Sequence, residues 1–277
     1  MDMSAIQLFF FQTPMWLLTL ATFAALSVAY AIGNWFRRRR KRASVAEAGD
    51  GGGDYDGYIV SGAVGLLALL LGFTFGLAVD RFDSRRVMVV EESNAIEATY
   101  LRAQTFAEPH RGELSRLLAK YVDVRLALSQ TTDLQQVKER LAESDTLQAS
   151  MWTATVAAIA PQRDDVASAF MEAMNETIAA AAARKAARLA HVPPRVFTVL
   201  FGYMLITAGI LGFVVGEMRR VTAATLLALL TVAYMMIVDI DSPNRGGVRE
   251  SQEAMTDLKA FIAAHPSTSF GTVTASK

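Results

Sequence analysis

Between Tyr58 and Val79 the chain runs 22 residues without one charged side chain. A helix needs about 20 apolar residues to cross the roughly 30 Å hydrocarbon core of a bilayer, at about 1.5 Å per residue. Three further stretches meet that requirement: Pro14–Phe36, Val196–Gly216 and Val221–Val238. Buried helices of a water-soluble bundle rarely run this long without a charged face. Trp16, Trp35, Tyr58, Phe197 and Tyr234 lie near span ends, where amphipathic rings prefer the headgroup level. The pattern predicts an all-α membrane protein with four transmembrane helices in two hairpins and an inserted helical extramembrane domain.

The composition excludes several function classes. Lys+Arg 27 balances Asp+Glu 27, so the basic footprint of a nucleic-acid binder is missing. With Cys at 0, disulfides, thiolate catalysis and Cys-based metal sites are excluded. The histidines, His110, His191 and His265, are far apart and lack metal-ligand spacing. His110 and His191 read as helix-end residues beside the negative end of a dipole. No GxSxG, HExxH or Walker-type loop occurs. An enzyme is therefore not expected, nor a cofactor or metal. The glycines Gly51–Gly53 do not make a phosphate loop, since no strand precedes them and no Lys follows.

Charge gives an orientation. Residues 1–13 hold no Lys or Arg, whereas Arg37-Arg38-Arg39-Arg40-Lys41-Arg42 follows the first span, the reverse of a cleavable signal. The positive-inside rule puts this run in the cytoplasm together with Glu217-Met218-Arg219-Arg220. The N-terminus, the large domain and the C-terminus then lie outside, in a multi-pass protein of the cell membrane. The expected division is 1–36 for the N-terminal tail and first span, 37–57 for a basic then Gly/Asp-rich linker, 58–79 for the second span, 80–194 for the helical domain, 195–240 for the second hairpin and 241–277 for a tail.

Within 80–194, no Pro or Gly interrupts the chain between Asp80 and Glu108, so the second span is expected to continue as one rod. Pro109 breaks it. A second helix is expected over Gly112–Ser129, with Leu114, Leu117, Tyr121, Val124 and Leu128 on one stripe. Thr132-Asp133-Leu134-Gln135 has capping-box spacing and opens a third helix to about Ala160. Pro161 suits the first turn of a fourth, which ends before Pro193-Pro194. One short helix near Ser251–Ala264 is expected in an otherwise mobile tail.

Two features carry the functional reading. After the second span come Asp80, Arg81, Asp83, Arg85 and Arg86; after the fourth come Asp239, Asp241 and Arg245. The two clusters share one membrane face, either as a salt-bridge collar or as a charged vestibule that concentrates an ion. Arginines beside every carboxylate disfavour a divalent-cation site. The second feature is a pair of GxxxG runs, Gly72–Gly76 and Gly212–Gly216, with Thr74 inside the first. In lipid, such small residues let helix backbones approach, within one chain or between copies. Glu91, Glu92 and Glu97 read as a wet face or a polar seam. No ionisable residue sits at mid-depth of a span, which disfavours a coupled transporter.

The run Val64–Phe75, then Arg81-Phe82-Asp83-Ser84-Arg85-Arg86, then Val90–Ile96 and Tyr100-Leu101-Arg102, resembles the bestrophin-like domain family of mostly bacterial membrane proteins. Asp239–Gly247 is similar to that family's closing motif of Asp, then Pro and Arg, then Gly. The resemblance implies four spans with a helical domain between two hairpins, and an oligomeric chloride channel. Bestrophins keep the large domain in the cytoplasm, so the charge pattern here departs from the family. The leading expectation is a self-associating membrane protein that conducts a small ion, with Gly72, Thr74 and Gly76 lining or packing a pore. The rival is a non-conducting sensor or scaffold that binds a partner through its exported domain.

Overall fold

The computed structural model describes residues 13–43, 53–131, 133–161, 164–215, 220–242 and 247–271. Among these there is no strand. The described residues form eight α-helices: α1 Met15–Ala43, α2 Gly53–Ala103, α3 His110–Gln130, α4 Leu134–Ile159, α5 Asp165–Leu189, α6 Pro194–Val215, α7 Arg220–Asp241 and α8 Glu253–Ala264. A 3-10 turn, Ser267–Ser269, closes the described chain. Four stretches are long and apolar enough to cross a membrane: Met15–Arg40, Gly57–Ala103, one within Asp165–Val215, and Val221–Asp241.

The chain divides into two compact units. The first joins Met1–Asp80 to His191–Val248; the second joins Arg81–Ala190 to the segment from Arg249 on. Helix α2 contributes its first half to one and its second half to the other, and it is unbroken for 51 residues because nothing in Asp80–Ala103 stops it.

In the first unit, α1 packs along α6 and more lightly on α7, and α6 touches α7. Glycine sets the α1–α6 approach. A Cβ at Gly33 would fall on the Gly209 carbonyl oxygen, and one at Gly212 on that of Tyr30. Side chains longer than hydrogen would force the backbones apart. Phe197 and Phe201 meet Tyr234 with ring centroids 6.2 and 6.0 Å away, which joins α6 to α7. Large apolar side chains point outward: Trp16, Leu20, Leu69, Phe73, Val199 and Val221 are each more than half exposed. Six hydroxyls turn back onto their own helices. Thr19, Ser27, Thr74, Thr198, Thr225 and Thr231 each donate to the carbonyl four residues earlier. That habit removes donors that lipid cannot satisfy.

The second unit has an ordinary closed core. Tyr100, Leu114, Leu118, Tyr121, Met151, Phe170 and Met174 are buried in it together with Met255, Leu258 and Ile262 of α8. Each such side chain contributes roughly 1.5–3 kcal/mol by leaving water. Phe106 and Phe170 stack edge-on at 4.9 Å. The hydroxyls of Thr99 and Thr177 lie 2.8 Å apart, each within 3.0 Å of the Ala95 carbonyl oxygen, tying α2 to α5.

Several sequence expectations shift here. Helix α2 begins at Gly53, five residues before Tyr58 and inside the stretch read as linker. Asp133, not Thr132, caps α4, accepting from the N–H groups of Gln135 and Gln136; Thr132 lies outside the described residues. Helix α5 starts at Asp165 rather than Pro161, because the Asp164 carboxylate caps it by accepting from Ala167 N–H. His110 opens α3 instead of closing a helix, so the dipole reading fails for it. The segment read as a tail belongs to the second core. Ser93 Oγ donates to the Ala254 carbonyl at 2.9 Å, and Tyr100 OH to that of His265 at 2.6 Å.

Candidate functional site

Helix α2 carries two different faces through the first unit. Leu67, Leu71, Thr74 and Ala78 recur at helical spacing and are buried. The opposite stripe, Gly62, Gly65, Leu69, Gly72, Phe73 and Gly76, is exposed. A Cβ built at Gly62, Gly65, Gly72 or Gly76 meets nothing within 4 Å. The two GxxxG runs therefore differ: Gly212 is used against α1 inside the chain, while Gly72 and Gly76 face open space. Gly216 lies outside the described residues. Thr74 does not share the face of Gly72 and Gly76; it is 3% exposed, and its hydroxyl donates to the Leu70 carbonyl at 2.7 Å.

Five of the residues expected to form a collar, Asp83, Arg85, Arg86, Asp239 and Asp241, enter separate pairings. Asp241 Oδ1 accepts from Val192 N–H at 2.9 Å, and His191 Nδ1 lies 3.0 Å from the Asp241 carbonyl oxygen. Asp239 Oδ1 accepts from Gly247 N–H at 3.0 Å. These bonds pin the backbone entering α6 and leaving α7 within the first unit. In the second unit, Arg85 is buried and its Nε lies 2.7 Å from Glu250 Oε1. Arg86 and Asp83 form an exposed pair at 3.6 Å, one helical turn apart. Asp80 and Arg81 are exposed. Arg245 lies outside the described residues.

Of the two readings of Glu91, Glu92 and Glu97, the polar seam holds for Glu92, but sequence reasoning missed its partners. Glu92 is fully buried in the second unit and gathers three partners from two other helices. Arg125 Nε stands 2.7 Å from Oε1, Arg184 Nη1 2.6 Å from Oε2, and Tyr121 OH donates to Oε1 at 3.1 Å. Arg184 also donates to Gln252 Oε1 at 2.7 Å, and Gln148 donates to the Tyr121 oxygen at 3.1 Å. Burial, then the Glu92 charge, push the Tyr121 hydroxyl up to about 12. Burial works to lower the Arg125 pKa, but Glu92, Tyr121 and Asp145 together outweigh it and raise it. The missed signal is positional. Tyr121, Arg125 and Leu128 are spaced on one face of α3, and Ala181 and Arg184 on one face of α5, so each arginine interrupts an apolar stripe.

Exposed Glu108 has its carboxyl pulled below the usual range by the hydrogen bond from Arg111 and by Gly112 N–H. Among the described residues, no group of three or more His, Asp or Glu gathers as a metal cage.

A family model, Bestrophin-like domain, matches residues 19–255. The chain belongs to the bestrophin-like domain family. The matched segment includes both stripes of α2, the Glu92 node and the Asp239–Gly247 closure. Two crystal structures of a bacterial bestrophin homologue from Klebsiella pneumoniae, each bearing one substitution, share the bestrophin-like fold. The first has a TM-score of 0.65 at 11% identity, covering 88% of this chain and 97% of that one. The second has 0.63 at 11% identity, covering 91% and 98%. No curated protein matches the sequence.

Proposed function

We propose that this bestrophin-like protein assembles from several copies into a channel for a small ion, with the exposed stripe of α2 facing the conduction path. The observation that carries the reading is the contrast among its glycines. Gly33 and Gly212 are used up in helix contact, whereas Gly62, Gly65, Gly72 and Gly76 run along one exposed stripe, beside Leu69 and Phe73, and a Cβ at any of the four meets nothing of its own chain. One copy presents too few spans to enclose a path, so copies must share it. Membership of the family supports the reading. In this arrangement α1 with α2, and α6 with α7, form two hairpins, and the chain between them is an inserted domain.

Purified protein reconstituted in liposomes should release a halide or an alkali-metal tracer at a rate well above empty vesicles, in proportion to its oligomeric fraction. Folded, oligomeric protein that moves neither would overturn the reading.

The orientation we propose rests on Arg37–Arg42. Arg37 donates to the Val214 carbonyl at 2.6 Å, and Arg39 stacks 3.9 Å above Trp35. Cations and an indole at one helix end mark the cytoplasmic boundary. The N-terminus and the inserted domain then lie outside. With Cys at 0, a single Asp145→Cys variant reports this directly. It should react with an impermeant maleimide in intact cells; reaction only after permeabilisation would reverse the topology.

A non-conducting scaffold is favoured by one observation. Trp152 and Val156 stand one turn apart on α4, 37% and 48% exposed, as a small apolar patch on the second unit. Loss of a co-purifying partner on Trp152→Ala, with no flux from either protein, would support it.

A further inference from the structure

The first unit holds a groove of about 260 Å³ lined by Leu70 and Thr74 of α2 and by Arg195, Val196, Val199 and Leu200 of α6. Val196, Val199 and Leu200 follow helical spacing, as do Leu70 and Thr74, so each helix gives one wall. The walls are apolar. Thr74 contributes its methyl, because its hydroxyl is spent on the Leu70 carbonyl. Arg195 stands apart in character: it is exposed, sits at the first turn of α6, and pairs with no carboxylate among the described residues. From Arg195 to Leu200 the groove follows α6 for about 8 Å, from the helix end toward the middle of the span.

The surroundings decide what fits. Both walls belong to helices long and apolar enough to cross a bilayer, so the groove opens on lipid, not water. An apolar furrow there fills with hydrocarbon. A guanidinium at its mouth, at the level where a span meets the headgroups, offers a charge-assisted, bidentate partner for a phosphate. The combination of an apolar trough and a cation at one end matches an amphiphile with one tail and an anionic head.

We propose that this groove is a binding site for an anionic phospholipid, one acyl chain lying along Leu70, Val199 and Leu200 with the phosphate on Arg195. The site rests on the spans crossing a bilayer and not on conduction. A failed flux assay leaves it standing, and its own failure leaves the channel reading untouched.

Full-length protein reconstituted with spin-labelled phosphatidylglycerol or phosphatidylcholine provides the test. Electron paramagnetic resonance reads the motionally restricted fraction of each lipid. Phosphatidylglycerol should associate severalfold more strongly than phosphatidylcholine. Arg195→Gln should bring the ratio to about one, and Arg195→Lys should keep most of the preference, since a point charge still attracts a phosphate. Val199→Trp should fill the furrow and lower the restricted fraction of both lipids. Arg195 and Val199 are exposed, so none of these changes threatens folding. An equal ratio in the unaltered protein, or a preference that survives Arg195→Gln, would overturn the site. Disulfide-linked dimers formed through Val199→Cys would do the same, by showing that a second copy occupies the groove.

Discussion

The two units are built from the same material, long Ala- and Leu-rich helices, yet they solve opposite problems. The first turns Trp16, Leu20 and Val221 outward and joins α1 to α6 through Gly33, Gly209 and Gly212. The second turns its large side chains inward and buries Glu92 with Arg125 and Arg184 at the centre. In lipid, hiding apolar surface gains nothing, so close backbone contact must hold helices together. In water, apolar burial drives closure, and a charged group is tolerated inside only when every lone pair is met. One sequence therefore shows two packing rules, switching near Asp80 within a single helix.

The sharpest way to break this contrast is to unbalance the buried node. Glu92→Gln leaves two arginines buried without their carboxylate, and should cost about 3–5 kcal/mol. Thermal unfolding in detergent, followed by circular dichroism, should show a large drop in midpoint, while Glu97→Gln should shift it little. A midpoint unmoved by Glu92→Gln would mean that the node contributes nothing.

Alkaline pH probes the same centre. Tyr121 keeps its proton to about 12 in the folded protein against about 10 in the unfolded chain. Its contribution is therefore complete below pH 10 and is lost as pH rises through 12, amounting to roughly 3 kcal/mol at most. Tyr121→Phe should flatten that part of the stability–pH curve. Equal alkaline sensitivity in both proteins would place the titration elsewhere.

Gly212→Ala addresses the other packing rule. The new methyl falls on the Tyr30 carbonyl, and strain of about 1–3 kcal/mol should loosen α1 from α6. Gly72→Ala meets nothing within the chain. Limited proteolysis of detergent-solubilised protein should nick the first variant sooner and leave the second like the parent; identical digestion of both would erase the distinction between the two glycine pairs. The smallest effect is expected at the start of α4, where Asp133→Ala removes a cap and should cost about 1 kcal/mol, read as a modest fall in midpoint.

Much of the fold was legible because period and length are local. The uncharged run at 58–79 and the absence of Pro or Gly up to Glu108 were enough to predict a helix that continues past Val79, and α2 runs unbroken from Gly53 to Ala103. Resemblance in Val64–Phe75 and Val90–Ile96 pointed to the family that the match over 19–255 shows. Partners were far less legible. Arg85 finds Glu250 and Arg184 finds Gln252, both far along the chain, in a segment read as tail. Only the third dimension brings those residues within reach. Thr74 shows a finer limit: lying between two glycines in sequence, it turns to the opposite side of the helix because neighbours two apart diverge by about 200°.

In the proposed channel the glycine face of α2 borders a water-filled path between copies, and the lack of native cysteine makes that placement directly measurable. Single cysteines at Gly65, Leu69, Gly72 and Gly76, and as controls at Leu67, Leu71 and Ala78, would be treated with a charged methanethiosulfonate in liposomes while ion flux is recorded. The first four should react and change the flux, and the controls should stay silent. Silence at all seven, or reaction without periodicity along the helix, would contradict the account.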